Sequence, residues 1–374
     1  MRLYLDHNAG APLRPEARDA MLPWLGPPAN PSSAHREGAR ARAALEEARA
    51  AIAGLIGAAP AEIVFTSGAT EANNLALRGA DAGGRIVTTA IEHASVLETA
   101  RAGGAVVTTV GVDAEGRVAP EAVVAACSGR PALVSVGLAN GEVGAVAPVA
   151  AIAAALAGSG AVVHTDAAQA AGRLPIDVRA LGVDLLSLSS HKLGGPAGAG
   201  ALWVRSGTTL DAQLRGGPQE RGRRAGTENV AALVGFGAAA RVAGATLAES
   251  AARLDALTQR LWQGLAARLP GVVRNGPASA PRLPNTLNVT VPGCAGESLL
   301  VLLDLAGVAA SLGSACAAGA PEPSHVLVAM GRTRDAARNG LRFSLGPDTT
   351  ADDVARVVEL LPRLVAQVRG EHAA

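Results

Sequence analysis

Between about residues 62 and 205 the chain alternates short apolar runs with stretches of helical periodicity. The runs fall at 62–66, 85–89, 105–110, 132–137, 161–165, 185–189 and 200–204. Each is rich in valine with isoleucine or leucine and is bounded by glycine, proline or charge, the pattern of strands buried on both faces. Helix-like stretches such as 148–156 separate several of them. Strand–helix alternation of this kind predicts an α/β fold built on a mostly parallel, seven-stranded sheet covered on both sides. Ahead of this block, 36–56 reads as a long Ala/Arg/Glu helix with Glu46 and Glu47 on its polar side. Behind it, 229–268 reads as one or two Ala/Leu helices, and the Pro/Gly-rich stretch 270–284 as a turn into a second, smaller α+β unit. That unit holds a strand at 286–291, a helix at 297–306 and a final helix at 351–369. The segment 313–324 separates a strand-like run from a helix, and its alanine, glycine and proline content predicts mobility. No repeat of solenoid period is present.

At 374 residues the chain is long enough for one large domain and a smaller one, and it needs neither disulfides nor metals to stay folded. Its formal net charge of +1 gives no global field to recruit nucleic acid or an anionic membrane. Aromatic residues make up only 2%, which also argues against base-stacking platforms. Three cysteines, Cys127, Cys294 and Cys316, leave an odd number with no CxxC spacing, so no disulfide framework or zinc site is expected. Asp6 and His7 stand where a signal peptide needs its apolar core, and the Ala/Val stretches break before reaching spanning length. A soluble cytoplasmic globular protein, with no direct nucleic-acid partner and no membrane, is the expectation.

Two strand ends carry reactive groups. Ser187-Leu-Ser-Ser-His-Lys192 places a lysine just past a buried strand and before glycines. An amine in such a cleft loses its proton more readily than a solvated one, as a Schiff-base lysine requires. The plain alternative is a lysine reaching for solvent. Val162-Val-His-Thr-Asp166 ends another strand in a carboxylate, suited either to pairing with a protonated pyridine nitrogen or to capping a helix.

Four further segments add candidates. Phe65-Thr-Ser-Gly68-Ala-Thr70 follows a strand and opens a helix, so its amides and hydroxyl suit an anion such as phosphate. It lacks both the Walker lysine spacing and GxGxxG, which disfavours ATP and NAD. The basic, glycine-rich loop Gly216 to Thr227 suits phosphate, an acidic partner or plain solvent. Glu92-His93 follows a strand where an imidazole can stack on a flat cofactor or move protons. Arg342, in Leu341-Arg-Phe-Ser, suits a bidentate clamp on a substrate carboxylate or a structural ion pair. Finally, Cys316 stands in a Gly/Pro-rich segment where a thiol is expected to be exposed and reactive, whereas Cys127 and Cys294 read as small buried hydrophobes.

Taken in order, these segments resemble the NifS/IscS-type cysteine desulfurases of the class V aminotransferase group, which have the fold-type I architecture of pyridoxal-phosphate enzymes. The likeness starts at Tyr4-Leu-Asp-His-Asn-Ala and Asn30-Pro-Ser-Ser-Ala-His35. It continues through FTSGATEANN, Glu92-His93, HTDAAQ, SSHK, ERGRRAGT and SACAAGAPEPSHVL to LRFSLG. The resemblance implies a cofactor, pyridoxal 5′-phosphate, held on Lys192, which also shuttles the Cα proton. Asp166 then pairs with the pyridinium, Gln169 contacts the ring's phenolic oxygen, and His93 stacks on the ring. The phosphate meets Ala69, Thr70, Ser189 and His191, with Thr227 supplied by the other subunit of a homodimer. Arg342 and Asn8 face the substrate, L-cysteine, whose sulfur passes to Cys316 as a persulfide while alanine leaves. A sulfur-acceptor protein, such as an iron–sulfur scaffold or a tRNA-thiolation enzyme, is the implied partner. The large domain then spans 13–249, with 1–12 and 250–374 forming the small one.

Two departures stand out. Family members usually carry two adjacent asparagines before Glu-[Val/Ile]-Gly, but here Asn140 is followed by Gly141, so the second asparagine's cofactor contact is missing. An asparagine restored at 141 is expected to tighten cofactor retention or shift the cofactor's absorbance. The early motif Asn8-Ala-Gly-Ala-Pro12 also lacks two hydroxyls common in the family. The nearest rival is a selenocysteine lyase or another class V aminotransferase or lyase, against which Cys316 discriminates. A scaffold that has lost turnover is disfavoured by Lys192, Asp166, His93 and Cys316 together, and a nicotinamide dehydrogenase by the missing GxGxxG.

Overall fold

A computed structural model of the chain describes residues 2–28, 30–80, 83–127, 132–312 and 322–370. The strands in chain order are β1 (Leu3–Tyr4), β2 (Ile63–Thr66), β3 (Arg85–Thr89), β4 (Val106–Val110), β5 (Leu133–Ser135), β6 (Val162–Asp166), β7 (Leu185–Ser189) and β8 (Gly200–Val204). They continue with β9 (Val273–Asn275), β10 (Thr286–Thr290), β11 (Val308–Ala309) and β12 (Gly340–Ser344). Every apolar run expected between 62 and 205 forms a strand. These seven make one sheet in the order β2-β8-β7-β6-β5-β3-β4. Only β8 runs against the others. The mostly parallel α/β sheet is therefore as expected, and β2, β5, β7 and β8 are buried along their whole length.

Two main hydrophobic cores organise the fold. The larger packs one face of the big sheet and includes the fully buried Trp203, Phe236 and Ile52, while a separate cluster with Val64, Leu185 and Leu202 covers the other face. Trp203 keeps its indole N–H satisfied by donating to Glu62 Oε2 at 3.0 Å. The smaller core gathers around Phe343 and joins the two ends of the chain, since Leu3 and Leu5 pack with Leu257, Leu303 and Val357. β1 pairs in parallel with β11, which seats the N-terminal segment against the C-terminal third. The final helix, Ala351–Arg369, is set by a Thr350/Asp353 capping box at its start and by Gly370 in the left-handed region, φ 69°, at its end. The stretch 229–268 forms two helices, Val230–Ala245 and Leu247–Arg268, bent by 72° at Thr246. Among the described residues no single helix is long and apolar enough to cross a membrane.

β2 forms one edge of the big sheet, and its outward backbone groups meet a buried ion pair. Arg49, from the helix Arg36–Leu55, donates to Glu220 at 2.7 and 2.8 Å and to Ile63 O at 2.9 Å. Phe65 N–H in turn donates to Glu220 Oε2 at 2.8 Å. Glu220 and Arg221 both hold left-handed backbone, φ 48° and 59°, which side chains adopt only when packing fixes them.

Within the central strands lies one buried polar unit. His164 is fully buried between Ser135 Oγ and Ser187 Oγ, each 2.9 Å from a ring nitrogen. Desolvation lowers its pKa from 6.5 to about 4, so it folds neutral. A histidine whose folded pKa lies below its unfolded value contributes stability above pH 6.5 that is lost as pH falls toward 4. Replacing His164 with glutamine should therefore reduce acid sensitivity. The stability gap between wild type and variant, followed by denaturant melts, should shift by about 2 kcal/mol in the variant's favour between pH 7 and 5. Parallel pH profiles for the two proteins would contradict this.

Candidate active site

The carboxyl ends of β2, β3, β5, β6 and β7 converge on a cleft of about 630 Å³. Ligands gather at such ends in open α/β sheets because loops, rather than side-chain layers, close the sheet there. Ala69, Thr70, His93, Asp166, Gln169, Ser189, His191, Lys192, Asn8 and Arg342 all line this cleft. Thr227 does not line it and is exposed. Cys316 lies outside the described residues.

Lys192 follows β7 through one tight turn, Ser190–Lys192. Its Nζ donates to the backbone oxygens of Asn8, at 2.5 Å, and Ala9, at 2.9 Å. Burial first, then the positive charges of Arg173 and Arg342, lower its pKa from 10.5 to about 8. The amine is thus available as a nucleophile near neutral pH. His191 beside it is held neutral, with a pKa lowered to about 4 by burial and by the cations Lys192 and Arg173. Its Nδ1 lies 2.9 Å from Ser189 Oγ.

Asp166 ends β6 with its carboxylate fixed by two N–H donors. Ala168 N–H reaches Oδ1 at 2.9 Å and Asn73 Nδ2 reaches Oδ2 at 2.7 Å. His93 caps the helix Ala94–Ala102, its Nδ1 accepting from Ser95 N–H at 3.1 Å. Beneath it Glu92 is buried and takes Gly137 N–H on both carboxylate oxygens at 3.0 Å. Desolvation raises its pKa to about 7, with Asp166 adding to the shift. At the anion end, Ser67 N–H is already engaged by Glu71 Oε2 at 2.8 Å, and Glu71 pairs with Arg224 at 2.9 Å. The basic loop is thus fastened to its own chain through Arg224 and Glu220.

Other expected ligands are tied into the scaffold. The Asn8 amide donates to Gly141 O and Thr286 Oγ1, both at 2.8 Å, and accepts from Asn285 at 3.1 Å. Asn8 therefore offers the cleft its carbonyl rather than its side chain. Arg342 pairs with Asp6 at 2.6 Å. Gln169 donates to Asn8 O at 3.0 Å and accepts from Arg173 Nη1 at 2.6 Å.

At position 141 the neighbouring packing bears on the missing asparagine. A Cβ there would lie 2.6 Å from Gln169 Cδ and Nε2 and 2.8 Å from its Cγ. The space left by the missing asparagine is filled by the Gln169 amide, so an asparagine at 141 would displace it from Asn8 and Arg173. Arg173 itself was not singled out by sequence, because an arginine four residues past Gln169 on a short turn carries no motif. It is buried and also reaches His7 O at 3.3 Å and Lys192 O at 3.4 Å.

A family model for aminotransferase class-V proteins matches residues 3–357. A cysteine desulfurase of Cereibacter sphaeroides is 47% identical over 379 residues, spanning 98% of this chain and 97% of that protein. The solved NifS-like protein of Rickettsia africae ESF-5 superposes with a TM-score of 0.90 at 32% identity, covering 98% of this chain and 99% of its own. A structure of SspA in complex with cysteine superposes with a TM-score of 0.80 at 35% identity, covering 94% of this chain and 100% of its own. The chain belongs to the aminotransferase class-V family and, within it, to the NifS/IscS-type group.

Two outcomes follow from the geometry alone. Labelling of Lys192 by an amine-directed aldehyde, read by peptide mass spectrometry, should rise through a midpoint near pH 8 rather than 10.5. Arg173→Met removes a positive neighbour and should move that midpoint upward; an unchanged midpoint would show that burial alone sets it. Gly141→Asn should lower thermal stability, by about 1–3 kcal/mol for overpacking against the Gln169 amide.

Proposed function

We propose that the chain is a pyridoxal-phosphate-dependent cysteine desulfurase that converts L-cysteine to L-alanine and passes the sulfur to Cys316. The observation that carries this reading is the facing pair Lys192 and Asp166. An amine with a pKa near 8 and a carboxylate fixed as an acceptor line one cleft large enough for a small-molecule cofactor. These residues fit the cofactor's needs: an amine for its aldehyde, a carboxylate for its ring nitrogen, an imidazole at the cleft wall and a strand-to-helix turn for its phosphate. When bound, the cofactor supplies an electron sink that lets bonds at Cα and Cβ of an amino acid be broken.

The residues then divide the work. Lys192 would hold the cofactor, and its neutral amine would take and return the Cα proton. Asp166 would hold the ring nitrogen, and Gln169 and His93 would contact the ring. Ala69, Thr70, Ser189 and His191 meet the phosphate, and Arg342 with Asn8 borders the substrate. The Cys316 thiolate attacks the substrate sulfur; an S–S bond forms as the Cβ–S bond breaks, and Cβ keeps the electron pair until it is protonated. The resulting persulfide is handed to an acceptor protein, an iron–sulfur scaffold or a tRNA-thiolation enzyme, in the cytoplasm. Support for the substrate comes from the desulfurase relatives and from the cysteine-bound SspA structure.

The same reading makes the protein a homodimer in which Thr227 completes a neighbour's phosphate site. Its exposure outside the cleft supports this, as do the exposed side chains of Leu13, Leu22 and Leu25 near the N-terminus. It also divides the chain into 13–249 and 1–12 with 250–374, in keeping with the two cores.

The test is to incubate purified protein with L-cysteine and measure alanine and sulfide together. Lys192→Ala should lack the visible absorbance of the lysine-bound cofactor and release no alanine. Cys316→Ala should still bind the cofactor yet release little alanine or sulfide. Robust sulfide release from Cys316→Ala would favour a lyase that eliminates sulfur without a protein persulfide. A fully active monomer in sedimentation would rule out the shared site.

A further inference from the structure

One wall of the cleft carries a line of hydrogen bonds that the roles above do not use. It begins at His93 Nδ1, which accepts the Ser95 backbone N–H at 3.1 Å and lies 2.7 Å from Ser95 Oγ. A ring nitrogen that accepts a peptide N–H carries no proton of its own. The Ser95 hydroxyl must therefore donate to it as well, and the neutral ring keeps its proton on Nε2. With its hydrogen committed, Ser95 Oγ accepts from Asn73 Nδ2 at 2.9 Å. The same nitrogen spends its second hydrogen on Asp166 Oδ2 at 2.7 Å. Reversing the Asn73 amide would set its oxygen against a carboxylate, so the direction of the whole line is fixed.

A helix cap alone would need only the first of these contacts. Asn73 and Ser95 are both buried, and Asn73 Oδ1 finds no partner among the described residues. That unpaired oxygen is a cost an amide with only a packing role would avoid, and it marks the two N–H donors as what the position is kept for.

We propose that Asn73 and Ser95 are positioning residues that hold His93 in its Nε2–H tautomer and tie it to the Asp166 carboxylate. His93 then meets the cleft as a hydrogen-bond donor, and the groups at the face and the nitrogen edge of the bound ring are set as one unit. This deepens the desulfurase reading and rests on its placing His93 and Asp166 around the same cofactor.

The experiment uses the full-length, cofactor-loaded protein labelled with ¹⁵N-histidine. Long-range ¹H–¹⁵N correlation assigns each ring nitrogen, and His93→Gln identifies the His93 signals. The expected result is a protonated Nε2 and an unprotonated Nδ1 in the wild type. Ser95→Ala should shift the Nδ1 resonance of the folded protein and lower kcat about fivefold, the loss of one hydrogen bond, with KM little changed. A Ser95→Ala/Asn73→Ala double variant should lose no more than the worse single one, because both act through one line. If Asn73→Ala does not fold, Ser95→Ala alone decides. A proton on Nδ1 would overturn the proposal, as would Ser95→Ala with wild-type Nδ1 resonance and kcat. Because the tautomer is read without turnover, its failure counts against the line alone, whereas a wild type that makes no alanine counts against the activity.

Discussion

Residues 6–9 lie where the two hydrophobic cores meet, and the geometry of the cleft is measured against them. The Asn8 amide links Gly141, beyond the end of β5, to Thr286 on β10, so one side chain ties both parts of the chain together. The Asn8 and Ala9 carbonyls receive Lys192, and Asn8 receives Gln169 as well. Asp6 takes Arg342, and His7 O takes Arg173. None of these contacts exists unless β1 is docked on β11 and Leu3 and Leu5 are buried. Docking the N-terminus is therefore a condition for the lysine to be held in the cleft.

The charges around that lysine follow from the same packing. Arg173 and Arg342 are both buried close to it, and each lowers its pKa. Arg173 feels the cost itself, with a pKa lowered to about 10 mainly by burial. It is kept in place by four oxygen acceptors from three segments, which distributes one desolvated cation over otherwise unpaired carbonyls. Asp6 and Asp166 act in the opposite direction on Lys192, and the burial-dominated balance still favours the neutral amine.

The seven-stranded sheet was legible because most of its strands are buried and read as short Val/Ile/Leu-rich runs. Lys192, Asp166 and His93 were legible because each stands just past such a run, where a strand end must open into a cleft. Less visible were residues whose meaning depends on contacts between distant segments. Arg173 and Asn73 sit in ordinary helix or turn contexts, and nothing local marks them as partners of Gln169 or Asp166. The surroundings of Gly141 were hidden for the same reason: sequence shows a missing side chain, whereas packing shows the Gln169 amide beside it. Asn8 was matched by motif, yet it works through its backbone oxygen. The short strands β1 and β9 were also missed, because two or three residues give no periodicity.

The buried pair of Arg49 and Glu220 has a consequence for how the protein behaves at high concentration. A sheet edge exposes a row of N–H and C=O groups that another chain can pair with, which is how ordered aggregation begins. On β2, the carbonyl of Ile63 is taken by a guanidinium and the N–H of Phe65 by a carboxylate. The ion pair imitates, with two side chains, the acceptor and donor that a further strand would offer. The backbone strain at Glu220 and Arg221 accompanies the bringing of that carboxylate to the edge. This side of the sheet thus stops growing at β2 because its pairing sites are already answered from within the same molecule.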